Sequence, residues 1–435
     1  MDSGPVKIYS NYNTPRLRYV AGIIFGDILG LQWEIITDRR KLGKHPVINY
    51  SPDKLPGSFS ITPDSILFEK GISSRQIIIS DLNGIPVFFQ TSADSDLPFD
   101  VFAATFFLVS RYEEYLEFEP DEYGRFPCSA SIAFKNGFLG KPVVDLWARE
   151  LAKAFLKRFT TLAFRRNEYK ALLTVDTDQP FAYPGKNIFR SIGGLLLNRK
   201  GISGNVNNRY RALSKDEKDP FDVFDYITEN IEKNNIDAIF FFPVGDHSKF
   251  DKNPSWKNGD YRNLILKIAG KYKVGLHPSF KAGSEKSFLN TESNRLQSIL
   301  KRQVGLSRFH YLRIFTPRSY NNILENGISE DYSMGYPDEP GFRAGIARPY
   351  FFYDLLEDEL TTLKIVPFQL MDVMLHDNKK LDPCMSKEVI INMIEATKKV
   401  GGLFVSIWHN TSLLENEEYK GWRDVFEFML KNQKP

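Results

Sequence analysis

Residues 171–180, ALLTVDTDQP, decide the fold. The first half is an unbroken apolar run, without the alternation of a strand that keeps one face in water. Such a run belongs to a strand buried on both faces, as in a parallel sheet covered by helices. It ends in two aspartates, Asp176 and Asp178. The two-residue period of a strand puts both on one face, about 7 Å apart. Parallel α/β folds collect their chemistry at the carboxyl ends of strands, so the end of this run is also where a site is expected.

Downstream the grammar repeats. Residues 222–234 read as a helix and 238–244 (AIFFFPV) as a buried strand. Helices at 263–272, 292–305, 319–326 and 387–400 alternate with strands at 274–277, 309–315, from 331, and 403–409 (LFVSIWH). Alternation of this kind predicts a parallel sheet with helical crossovers. A basic segment rich in Gly and Asn, residues 185–218, interrupts the pattern near its start and reads as a helix and a mobile loop. Upstream the pattern is mixed: helices at 16–33, 99–116 and within 137–160, and short strands at 76–80 and 87–90. The division predicted is an α+β accessory domain over residues 1–168 and an α/β domain over 169–435.

The polar residues of the second part gather at strand ends. Asp176 and Asp178 end the first strand, His277 ends or follows the third, and His409 ends the last. His310 opens its predicted strand, a poorer position, and Arg313 lies within it. These residues sit where such a fold puts its active site, and the spacing of the two aspartates suits a metal ligand beside a base. The chain shows no Gly-rich phosphate loop after a strand and no serine nucleophile elbow.

Composition is that of a soluble globular protein. The 435 residues carry 57 basic and 54 acidic side chains, a net charge of +3 that calls for neither nucleic acid nor a membrane surface as partner. Residues 20–33 are apolar but too short for a membrane span, which needs roughly 20 apolar residues. With no leader-like start and only Cys128 and Cys384, the expected location is cytoplasmic. Oligomeric state is open.

Taken in order, these segments resemble the polysaccharide deacetylases, carbohydrate esterase family 4 with the NodB-type fold, over roughly residues 171–430. They are most similar to a divergent Bacteroidetes branch with an extra N-terminal domain, which PFDVFAATFFLVSRYEEY and GRFP (residues 98–115 and 124–127) resemble. The resemblance implies a distorted parallel (β/α) barrel and a divalent metal, zinc first among the choices. Within TVDTDQP it implies Asp176 as general base and Asp178 as metal ligand. In GLHPSFKAG it implies His277 as a second ligand, but the family's His-x-x-x-His pattern is broken because Lys281 stands at the next position. His310 is the candidate third ligand. In LRIFTPRSYNNILENGI the resemblance implies that Arg313 orients Asp176, with Tyr320 in the wall. In SIWHNTSL it implies His409 as general acid, supported by Asp372, with Trp408 and Leu413 around the acyl methyl. Tyr336 and Arg343, in the loop at 331–345, are candidate substrate contacts. The activity implied is removal of an N-acetyl group from an amino sugar in a glycan or glycan precursor. The alternatives are a carbohydrate-binding or scaffold protein that keeps the barrel, and hydrolysis of another C–N bond in a small molecule.

Overall fold

The computed structural model describes residues 4–182 and 219–434; the predicted segment at 185–218 lies outside them. The chain begins with β1 (Val6–Tyr9), followed by a helix at Pro15–Ala21 that Thr14 caps by accepting from the Leu17 N–H. A proline at its first turn fits, since that position needs no N–H. The helix continues as a wider π-turn segment, Gly22–Leu29, and stops at Gly30, whose φ of 67° ends it in a left-handed turn. β2 (Trp33–Ile36), β3 (Val47–Asn49) and β4 (Phe59–Ser60) complete a parallel sheet ordered β2-β1-β3-β4. The smaller part thus carries a parallel sheet of its own beside its helices. The helix between β1 and β2 returns the chain to the start of the sheet, which makes the pair parallel. A hairpin, β5 (Ser80–Leu82) and β6 (Ile85–Val87), and helices Val101–Val109 and Val143–Arg158 follow.

Among the described residues the larger sheet has nine strands. They are β7 (Lys170–Asp176), β8 (Asp237–Phe242), β9 (Lys273–Leu276), β10 (Leu306–Ser307), β11 (Glu330–Asp331), β12 (Tyr350–Asp354), β13 (Glu359–Ile365), β14 (Leu370–Met371) and β15 (Leu403–His409). Their order is β12-β13-β11-β10-β9-β8-β7-β15-β14, parallel except for the β12–β13 hairpin at one edge. The ladder is open, so the barrel expected is not closed among the described residues. It curls nevertheless, because β13 pairs with β11 while β14, a few residues further along the same stretch of chain, pairs with β15 at the other end of the order.

Alternation along the strands explains the curl. Ile239 and Phe241 of β8, and Val405 and Ile407 of β15, join Tyr332, Val366 and Phe368 in a small inner cluster. Phe240, Phe242, Phe404 and Trp408 point the other way, into the large core under the helices. That large core runs without a break from Val6 to Leu430, so both parts of the chain share it. Buried ions join them as well. Arg16 donates to Asp358 at 2.7 Å, and Arg111 and Arg343 both donate to Glu114. No helix among the described residues is long and apolar enough to cross a membrane.

Candidate metal centre and active site

The site forms where β7, β9, β10 and β15 end. Asp176 is the last residue of β7, and Asp178 follows two positions on, on the same face. The Thr177 N–H and hydroxyl both bond the Phe241 carbonyl, which holds the chain extended past the strand. His277 is the first residue after β9. His409 ends β15 and is the register partner of Asp176.

His310 is better placed than its sequence suggested. The strand predicted at 309–315 does not form. β10 stops at Ser307, and a short 3-10 turn, His310–Leu312, takes over. The ring thus lies beyond the strand's carboxyl end, beside His277 with centroids 5.0 Å apart.

One arrangement recurs in the three histidines. His277 Nδ1 lies 2.5 Å from the Arg308 carbonyl, His310 Nδ1 lies 2.9 Å from Asp251 Oδ1, and His409 Nδ1 lies 2.8 Å from Asp372 Oδ1. Each Nδ1–H has an acceptor, which fixes the tautomer and turns Nε2 toward the aspartates. His277 Nε2 is 3.1 Å from Asp178 Oδ1, and His310 Nε2 is 3.2 Å from Asp178 Oδ2. His409 Nε2 stands 3.8 Å from Asp178 and 4.0 Å from Asp176.

Asp178, His277 and His310 each offer a donor atom, all within 4.8 Å of one another. Two buried atoms of this set, His277 Nε2 and Asp178 Oδ1, have no hydrogen-bond partner, and neither has Asp176 Oδ1. Lone pairs that face each other repel unless a proton or cation lies between them, and unpaired buried polar atoms are rare. The donors therefore fit a divalent cation with two imidazoles and one carboxylate. Burial opposes charge on His310, but Asp178 and Asp251 prevail and raise its pKa to about 10. Burial likewise opposes the lowering at Asp178, but His310 and His277 hold it well below the usual carboxylate range. His409 is also raised to about 10, by Asp372, Asp178 and Asp176 against its burial.

The arginine beside Asp176 is Arg308, not Arg313. Its Nη1 is 3.7 Å from Asp176 Oδ1, and its fully buried guanidinium lies over the rings of Phe241 and Phe368 at 5.0 and 5.6 Å. Burial pulls its pKa down, against Asp176 and Asp331. Arg313 points elsewhere: it donates to the carbonyls of Tyr123 and Phe280 and to the Ser284 hydroxyl.

The five predicted substrate contacts do not line the cavity. Trp408 alternates with His409, so its ring goes outward, against Trp422 and Phe426. Leu413 is fully buried in the large core. Tyr320 packs on Phe352. Tyr336 and Arg343 bind across to the first part of the chain, Tyr336 by accepting from Arg111 and Arg343 by donating to Glu114. Lys281 is exposed and lies over the Phe288 ring at 5.3 Å, away from the metal donors.

The cavity itself has a volume of about 700 Å³. Its floor is Asp176, Asp178, His277, His310 and His409. Its walls include Tyr311, Met371 and Thr411, and also Asp121, Tyr123 and Arg125 from the first part of the chain. Asp251, Arg308 and Tyr123 were not singled out in the sequence. Arg308 could have been, because it stands one residue past β10 as His277 stands one past β9.

Residues 6–160 match a family of unknown function, DUF7033. No curated protein matches the chain. Among solved structures, the chain is similar to a protein from Mycobacterium smegmatis designated a polysaccharide deacetylase, at 14% identity and a TM-score of 0.41, covering 62% of this chain and 85% of that one. It is also similar to a protein from Parabacteroides distasonis designated a glycoside hydrolase/deacetylase, at 10% identity and a TM-score of 0.36, covering 61% of this chain and 66% of that one. A third is the 4-alpha-glucanotransferase from Thermococcus litoralis, at 12% identity and a TM-score of 0.34, covering 61% of this chain and 37% of that one. At these scores no family follows for the chain, and its chemistry has to be argued from the site.

Proposed function

We propose that this protein is a metal-dependent hydrolase that removes an N-acetyl group from an amino sugar of a glycan or glycan precursor. The observation that carries the proposal is the convergence on one cavity of a His–His–Asp donor set with a second carboxylate and a third, carboxylate-bound histidine. Asp178, His277 and His310 would hold the cation. Two nitrogens and one oxygen as donors suit zinc. When bound with an open position, such a cation acidifies water and polarises the acyl carbonyl.

The chain's own groups supply the proton transfers. Asp176 accepts the proton of the attacking water. Arg308 sets its guanidinium 3.7 Å from Asp176 and, through the carbonyl that accepts from His277, also sets that ligand's tautomer. His409, with a pKa near 10, carries a proton at neutral pH and delivers it to the leaving nitrogen. Asp372 orients His409 through two bonds, one to its ring and one to its backbone N–H. A dead scaffold has no need of this second carboxylate–histidine pair.

The test is zinc content after loading and desalting, followed by acetate release from N-acetylated oligosaccharides. About one zinc per chain is expected for a site with three protein ligands, with loss of both zinc and acetate release in Asp178→Ala. A wild-type protein that retains no divalent metal would sink the mechanism.

A further inference from the structure

We infer that residues 121–125, from the part of the chain outside the large sheet, form the sugar-binding wall of the cavity, with Tyr123 and Tyr311 as an aromatic platform for a neutral sugar. This deepens the deacetylase reading and rests on it for the position of the reacting acyl group.

Three observations carry it. First, the two rings are neighbours at the site. Tyr123 and Tyr311 both line the cavity, with centroids 5.1 Å apart, and Tyr311 lies 4.5 Å from the ring of His310. Behind them Phe250 and Phe280 stack at 3.9 Å and touch both tyrosines edge-on, which backs the platform. Aromatic faces are electron-rich and attract the polarised C–H face of a sugar ring.

Second, the wall is locked onto the metal-side turn. Arg125 donates to the Tyr311 carbonyl at 2.5 Å while its carboxylate partner Asp121 holds it at 2.7 Å. Arg313 donates to the Tyr123 carbonyl at 2.9 Å. The bonded turn is strained: Tyr311 and Leu312 have φ of 58° and 52°, in the left-handed region that non-glycine residues avoid. Strain of this kind persists where surrounding contacts enforce it and collects at ligand clamps. The arginine that the sequence assigned to the catalytic aspartate thus holds the platform.

Third, charge selects the ligand. Away from the floor, where three histidines and the bound cation offset Asp176 and Asp178, the wall carries Asp121, Glu122, Asp338 and Asp377 against Arg125, which is already paired. A uronate- or phosphate-bearing glycan would be repelled, and a neutral N-acetylated one would not. A cavity of about 700 Å³ accommodates a short oligosaccharide end.

The experiment is calorimetric titration of the zinc-loaded full chain with triacetylchitotriose, with trigalacturonic acid as the acidic control. Wild type is expected to bind the neutral trimer and not the acidic one. Tyr123→Ala should weaken binding about tenfold or more and Tyr123→Phe less than about threefold, as for the loss and retention of an aromatic anchor, with zinc content unchanged in both. Binding of neither trimer by wild type, equal binding by Tyr123→Ala, preference for the acidic trimer, or loss of zinc in Tyr123→Ala would each overturn the platform. Because binding and acetate release are read separately, failure to release acetate with binding intact would count against the hydrolase alone.

Discussion

Most of the cavity floor is set at strand ends, with His310 on the turn beyond β10, whereas its wall is made by contacts between distant parts of the chain. Asp176 and His409 face each other as partners in the β7–β15 ladder, and His277 follows directly on β9. Tyr123 reaches the same cavity from the first part of the chain, its carbonyl held by Arg313, 190 residues further on. A floor built from register is rigid and places reacting groups closely. A wall built from a loop can change without disturbing that floor, which is how one scaffold comes to take different substrates. The two should therefore fail differently: floor variants lose chemistry, and wall variants lose recognition.

Asp176→Asn is the strongest challenge to the floor. It keeps the size of the side chain and removes the base, while the three metal donors are untouched. Acetate release should fall by roughly a hundred- to ten-thousand-fold, the usual effect of losing a general base, with zinc content and triacetylchitotriose binding as in wild type. Loss of zinc together with activity would show that Asp176 is a ligand and that the division of roles between the two aspartates is wrong.

Asp372→Asn should be milder, about ten- to a hundred-fold in acetate release, because it removes an orienting partner and leaves His409 in place. It has a second readout in the zinc-free protein. His409 and His310 both have pKa values raised on folding to about 10, against an unfolded value of about 6.5. A group raised in this way stabilises the fold fully below its unfolded pKa and loses that contribution as pH rises through the folded one. The melting temperature of the zinc-free protein should therefore fall between about pH 6.5 and 10. The fall should be shallower in Asp372→Asn, because His409 has lost its first counter-charge. An unchanged slope would mean that Asp372 does not hold the proton on His409.

The same contrast between register and contact explains what was legible in the sequence. Asp176, Asp178, His277 and His409 could be found because strands alternate and chemistry gathers at their ends. His310 was found although its strand was not: the apolar residues at 309–315 suit a strand, but β10 ends at Ser307 and the chain turns at once. Trp408 was misplaced against the alternation rule itself, since a strand that turns His409 inward must turn Trp408 outward. Arg313 was misassigned because an arginine ahead of a proline was matched as a motif, whereas its direction is set by a loop from the first part of the chain. Tyr123, Asp251 and the outward paths of Tyr336 and Arg343 had no local signal. Each depends on which distant segment packs beside it, and a single sequence does not display that.

Lys281 is where the smallest effect is expected. The motif spacing made this position look decisive, because a histidine four residues after His277 would have been a ligand. Here the chain turns before reaching the cavity. The Lys281 carbonyl accepts from the backbone N–H groups of Ser284 and Glu285, and the ammonium lies over Phe288. The third donor comes instead from His310, across the β9–β10 edge. Lys281→Ala should leave zinc content unchanged and alter stability by no more than about 0.5 kcal/mol, the range of an ordinary surface substitution. Lys281→His, which restores the spacing, should bind no additional zinc and hold the first no more tightly, as read by competition with a coloured chelator. Tighter binding in that variant would mean that the turn can bring position 281 into the cavity, and the floor would then depend on a loop in the way the wall does.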